Sequence, residues 1–186
     1  MILPIYALGA KVLKKVAKPI DKEFPDFEKL LSNMWDTMYN AQGVGLAAPQ
    51  IGKSIRLFLI DTIQLESEEK DFKGLKQAFI NAEIIEEFGE LWSYEEGCLS
   101  IPRIRGDVER QEKVVIKYYD EEFKEHTKEF TGINARVIQH EYDHIEGKLF
   151  TEKLKPLRKK LIKRKLEKIK VGDIDTDYRM KFSLRN

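Results

Sequence analysis

The chain has a single cysteine, Cys98, so it can form no internal disulfide, and its composition gives no sign of an oxidising compartment. That lone thiol needs another explanation. Nowhere do roughly 18 apolar residues run together, which argues against a membrane-spanning helix. Met1 to Lys11 lacks the basic stretch and long apolar run of a secretory leader. The expectation is a soluble, unprocessed, cytoplasmic protein with no membrane partner. Internal repeats, low-complexity stretches and Gly/Ser-rich linkers are missing too, so residues 1–186 are read as one domain. With 42% hydrophobic and 10% aromatic residues, a chain of this length can build a core.

A net charge of +1 conceals an asymmetry. Lys153 to Lys170 holds ten Lys or Arg and one acid, Glu167, and is therefore +9; the rest keeps 23 of the 33 basic and 31 of the 32 acidic residues and is −8. A basic stretch on an acidic body reads either as an electrostatic address, such as a nucleic-acid surface, or as a solvated helix face.

Phe27, Leu30, Leu31, Met34, Trp35, Met38 and Tyr39 recur at helical spacing and predict a helix over 25–41 with one apolar face. A loop of small residues follows, Gly43-Val44-Gly45-Leu46-Ala47-Ala48-Pro49-Gln50, and then a buried strand from Ile55 to Ile60. Glu66 to Lys73 reads as a polar surface loop. β-branched and aromatic residues predict strands at Ala78–Phe88, Leu91–Tyr94, Val108–Tyr119 and Phe123–Phe130, the last two joined as an antiparallel hairpin through Asp120-Glu121-Glu122. Asn134 is the expected N-cap of a helix from Ala135 to about Glu146, with Gly147 as its stop. Leu154, Leu157, Leu161, Leu166 and Ile169 predict a final amphipathic helix with Pro156 in its first turn. Helices and antiparallel strands in separate runs give an α+β fold.

His140-Glu141-Tyr142-Asp143-His144 has the form HExxH on a predicted helix. Residues four apart share a helix face, so both imidazoles can reach one ion. Glu141 lies about 100° around the helix and can approach a water at that ion as general acid/base without being a ligand. A third ligand is needed. The remaining histidine, His126, sits in a polar strand-like stretch. Cys98, in Glu95-Glu96-Gly97-Cys98-Leu99-Ser100-Ile101-Pro102, is the better candidate, although a lone cysteine is otherwise read as a small buried hydrophobe. Three protein ligands leave a fourth position for water, as catalytic sites do. Attack on a carbonyl creates an oxyanion that needs donors; the Leu99 N–H and the Gln50 side-chain amide are nominated. A phosphate-cradling role for the 43–50 loop is set aside, because it lacks the Gly-Lys-Ser/Thr ending.

Taken in order, Gly43-Val44-Gly45-Leu46-Ala47-Ala48-Pro49-Gln50, Glu96-Gly97-Cys98-Leu99-Ser100 and Gln139-His140-Glu141-Tyr142-Asp143-His144 resemble the motifs of the peptide deformylase family. Ile2-Leu3-Pro4-Ile5 with Gly9, Val12, Leu13 and Ala17 resembles the family's N-terminal segment, so the likeness spans roughly residues 2–152. Ile145 stands where the family usually has Leu. The resemblance implies hydrolytic removal of the N-formyl group from the initiator methionine of N-formylmethionyl nascent peptides. It implies Cys98, His140 and His144 as metal ligands, Glu141 as proton shuttle, and Leu99 N–H and Gln50 as donors to the intermediate. Gly45 would pair with the substrate backbone. Val44, Ile133 and Val137 would line a methionine pocket, or are ordinary core; Arg105, and less so Arg103, would touch the rest of the peptide, or are solvated. Asp143 would orient a ligand or serve as a structural ion-pair partner. Ligand softness points to zinc, whereas the resemblance implies Fe(II), with nickel, cobalt or zinc able to occupy the site.

The expected architecture is therefore α+β, with antiparallel sheets packed around a central helix carrying HExxH and a basic C-terminal helix at 153–170. That helix invites ribosome association near the peptide exit. Two other classes remain: a general small HExxH metallopeptidase cleaving internal bonds, and a noncatalytic RNA-binding protein using the basic tail.

Overall fold

The computed structural model describes residues 1–66 and 72–183. The expected loop at Glu66 to Lys73 therefore falls for the most part outside the described residues.

The main sheet has five antiparallel strands in the order β2 (Gly45–Ala47), β3 (Leu57–Asp61), β4 (Lys76–Cys98), β5 (Ile101–Tyr119) and β6 (Glu125–Thr131). All five residues of β3 are buried, because the strand has a helix on either side. Leu57 and Leu59 point to one face, where they meet Leu30, Leu31, Met34 and Met38 of α1 (Phe27–Asn40). Phe58 and Ile60 point to the other, where they meet Ala135, Ile138 and Ile145 of α2 (Gly132–Ile145). The two-residue alternation of a strand thus feeds two cores at once. A third core gathers Ile101, Ile104, Val108, Phe150 and Leu154 with Ile162 and Ile169 of α3 (Pro156–Val171).

The structure revises several expectations. β4 is one strand of 23 residues, so Leu91–Tyr94 is its continuation; ladder irregularities, one of them between Phe88 and Leu91, interrupt the pattern a sequence reader looks for. The β5–β6 hairpin forms as expected, but Phe123 is in the turn at φ 58° and packs on Phe27. Asn134 does not cap α2. The helix begins at Gly132 after Thr131, and the Asn134 side chain instead receives the Thr62 hydroxyl and donates to the Lys73 carbonyl at 3.0 Å. Gly147, at φ 70°, does follow the end of α2. In α3 the inward face is Ile162, Leu166 and Ile169, while Leu157 and Leu161 are 70% and 65% exposed; Leu154 is buried but precedes the helix.

Beyond α3 the chain turns at Gly172, φ 73°, and returns across the body. There β7 (Met180–Lys181) pairs in parallel with β1 (Ile5–Tyr6). No helix among the described residues is long and apolar enough to cross a membrane.

Candidate metal centre

The hairpin between β4 and β5 delivers the thiol. Cys98 is the last residue of β4 and pairs with Ile101, so Leu99 and Ser100 form the whole turn. One step earlier Gly97 pairs with Arg105, and residues 102–104 bulge from the ladder, with Arg103 at φ 59°. A bulge of this kind re-aims the side chain beside it. α2 delivers the imidazoles: His140 and His144 lie one turn apart, ring centroids 5.2 Å from each other. Ligand atoms of Cys98, His140 and His144 all fall within 4.8 Å of one another. Cys98 Sγ is 3.3 Å from His144 Nε2.

The surroundings fit a cation. His140 Nδ1 is held by Glu96 Oε2 at 2.8 Å, which leaves its other ring nitrogen for the centre. Burial opposes charge on His140, yet Cys98 and Glu96 outweigh it and hold the imidazole well above its ordinary value. An ion would answer the same pull toward positive charge. Burial, followed by the charge of His140, pushes His144 well below its ordinary value, so it stays a neutral lone-pair donor. Burial likewise raises the Glu141 carboxyl to about 7. Its Oε2 is buried without a hydrogen-bond partner.

Glu96 anchors a buried charge network that the sequence reading missed. Its Oε1 accepts from Arg110 Nε (2.7 Å) and Arg136 Nη1 (3.0 Å); its Oε2 accepts from Arg110 Nη2 (3.0 Å) as well as from His140. Arg110 Nη1 continues to Asp143 Oδ2 at 2.8 Å. Asp143 is thus an ion-pair partner whose bond passes through Arg110 and Glu96 to His140. Arg136 spans Val108 O and Trp92 O and lies over the Trp92 ring at 4.4 Å. Burial works against charge on Glu96, but Arg110 and His140 hold its carboxyl far below the usual carboxylate range. Signals existed: Arg110 takes an inward position in the alternation of β5, and Arg136 is one turn before His140.

One cavity collects most of the expected residues. Gln50, Leu99, Glu141, Val44, Gly45, Ile133, Val137, Arg103 and Arg105 all line it with Cys98 and His140. Gln50 is almost fully buried; its Oε1 accepts from Ala47 N at 2.8 Å, and its Nε2 points to Cys98 Sγ at 3.5 Å and Ser100 Oγ at 3.2 Å. Ile133 and Val137 are buried and also pack in the α2 core. Arg105 is exposed and paired with Glu95 at 2.9 Å. His126 lies away from the centre, bonded to Asp120 Oδ2 at 2.6 Å. Thr176, Asp177 and Tyr178, from the returning tail, also line the cavity and were not anticipated.

A family model described as Polypeptide deformylase matches residues 2–160. The chain belongs to that family. It is 56% identical over 189 residues to a peptide deformylase of Christiangramia forsetii, covering 98% of this chain and 96% of the relative. A crystal structure of a peptide deformylase from Legionella pneumophila superposes with a TM-score of 0.79 at 40% identity, covering 93% of this chain and 98% of that one. A Met-Ala-Ser-bound class I type b peptide deformylase from Acinetobacter baumannii gives 0.76 at 34%, covering 83% and 99%. The chain is thus a peptide deformylase, a hydrolase of a metal-dependent family, and the noncatalytic reading falls.

Proposed function

We propose that Cys98, His140 and His144 hold one divalent ion and that Glu141 moves the proton as the N-formyl group is hydrolysed from the terminal methionine of new polypeptides, releasing formate. The observation that carries this is the convergence of three donor atoms within 4.8 Å beside a buried, unpartnered Glu141 oxygen. When bound, the ion supplies Lewis acidity toward water and the formyl oxygen. Fe(II) is the resident ion in this reading, with zinc, nickel or cobalt able to replace it. Glu141, its carboxyl raised to about 7 by burial, takes a proton near neutral pH and returns it to the departing amine. The Leu99 N–H and Gln50 Nε2 donate to the oxygen that gains charge during attack.

Substrate binding follows from position. β2 is an edge of the main sheet, so Gly45 offers unpaired backbone to an extended peptide. Val44, Ile133 and Val137 wall the methionine pocket, and Arg105, with Arg103 in a lesser role, meets the residues beyond. Residues 1–186 act as one metallohydrolase domain. The exposed cations of α3 dock on ribosomal RNA near the peptide exit, where formylated chains emerge. The wider alternative, a general small HExxH metallopeptidase, is not favoured, since the full-length relatives are peptide deformylases.

The test is formate release from formyl-Met-Ala-Ser by anaerobically purified protein beside Glu141→Ala. Wild type is expected to release formate, and the variant to lose about 10²–10⁴-fold in rate with its metal content unchanged. An iron-loaded wild type that released none would end the site reading.

A further inference from the structure

The turn that carries Cys98 and the Leu99 N–H is held from outside its own hairpin as well as within it. Two residues connect the strands, Cys98 pairs with Ile101, and the ladder is broken between Gly97 and Cys98. Further bonds come from elsewhere. Leu8 N–H donates to Ser100 O at 2.9 Å, Gln50 Nε2 reaches Ser100 Oγ, and the Tyr178 hydroxyl donates to Leu99 O at 2.7 Å. On the opposite side the Leu99 side chain fills the space over Gly43, where a Cβ would approach Leu99 Cδ1 to 2.7 Å.

We propose that Tyr178 is a positioning residue for deformylation: its hydroxyl fixes the Leu99 carbonyl, in the Leu99–Ser100 peptide unit, and through the Leu99 backbone holds the aim of the preceding Cys98–Leu99 unit, whose N–H donates to the developing oxyanion. The tail around it is arranged for this. Thr176 Oγ1 donates to Tyr178 O at 2.9 Å, and immediately beyond, Met180 and Lys181 are secured to β1, with Ile5 N–H donating to Arg179 O at 2.9 Å. Tyr178 is half-buried against Leu99's cluster and lines the catalytic cavity. It lies beyond residue 160, where the family-model match ends, so the contact comes from outside the matched region. A donor one residue from the reacting geometry acts on rate more than on binding, because small misplacements of an oxyanion donor weaken an interaction made only in the transition state.

The inference rests on Leu99's proposed role, so full-length wild type, Tyr178→Phe and Tyr178→p-aminophenylalanine are assayed together on formyl-Met-Ala-Ser, with metal content and Tm measured on each. Tyr178→Phe is expected to lower kcat about tenfold, the effect of about one hydrogen bond, with KM within about twofold and metal content unchanged. The amino variant, which keeps an N–H donor on the same ring, is expected to recover most of that loss. A wild-type kcat in Tyr178→Phe would overturn the proposal. So would a loss that tracks metal content or folding, or a failure of the amino variant to recover it. No formate from wild type would instead remove the site reading underneath.

Discussion

Gly45 lacks a side chain where Glu141 needs the room: a Cβ there would run into the carboxyl, 2.7 Å from Cδ and 2.8 Å from Cγ. The chain's proposed proton carrier is buried against bare backbone. Gly45→Ala is expected to leave the protein folded and metal-loaded while lowering kcat/KM about 10²-fold, since a displacement near 1 Å at a reacting group costs that much. Steady-state kinetics on formyl-Met-Ala-Ser decides it, and activity within twofold of wild type would refute it. At this scale legibility follows chemistry. The convergence of Cys98, His140 and His144 was readable because ligand type, and for the two histidines helical spacing, are printed in the sequence. Glu96, Arg110 and Arg136 were not, because a charged residue in a list looks solvated until a partner is known. Burying them is tolerable only because they satisfy one another.

Among the elements, the β5–β6 hairpin shows local chemistry prevailing over composition. Asp120 Oδ1 accepts from Glu122 N at 3.1 Å and Lys124 N at 2.9 Å, and Oδ2 accepts from His126. Burial opposes its charge, but His126 and the two backbone donors outweigh it and hold the carboxyl below its ordinary value. A depressed carboxyl contributes stability that is fully present above its unfolded pKa, about 4, and is lost as pH falls through the lower folded value. Asp120→Ala is therefore expected to cost about 1–2 kcal/mol at pH 7, the gap to wild type narrowing below about pH 4. Urea titrations at pH 7 and pH 3.5 measure it; an equal gap at both would refute the assignment. The hairpin was legible because its turn residues are diagnostic. The start of α2 was not, because Asn134 has the right type for a cap but is engaged by Thr62 and Lys73. The inward face of α3 was misjudged for a related reason: periodicity finds a stripe of leucines but cannot tell which stripe meets the body.

On the scale of the molecule, α3 carries most of a +9 segment on a −8 remainder, and Leu157 and Leu161 stand exposed among its cations. If this face meets RNA phosphates, Lys160→Glu with Arg164→Glu should weaken ribosome binding and flatten the slope of log affinity against log salt by about 2. Sedimentation with 70S ribosomes across a salt series tests this, and an unchanged slope would dismiss the docking. The overall plan, α+β with antiparallel strands and three helices, was accessible from pattern. The parallel β1–β7 pairing was not, because two-residue strands at opposite ends of a chain leave no periodic trace.

That last pairing also sets a schedule. Ile5 waits for Met180, far along the chain, so this contact is long-range in sequence and can close only once both segments have been made. The thiol turn receives its Leu8 bond from a segment made before it and its Tyr178 bond from one made well after it. The turn proposed to act on emerging chains thus gains its last bond only once residue 178 of its own chain has been made.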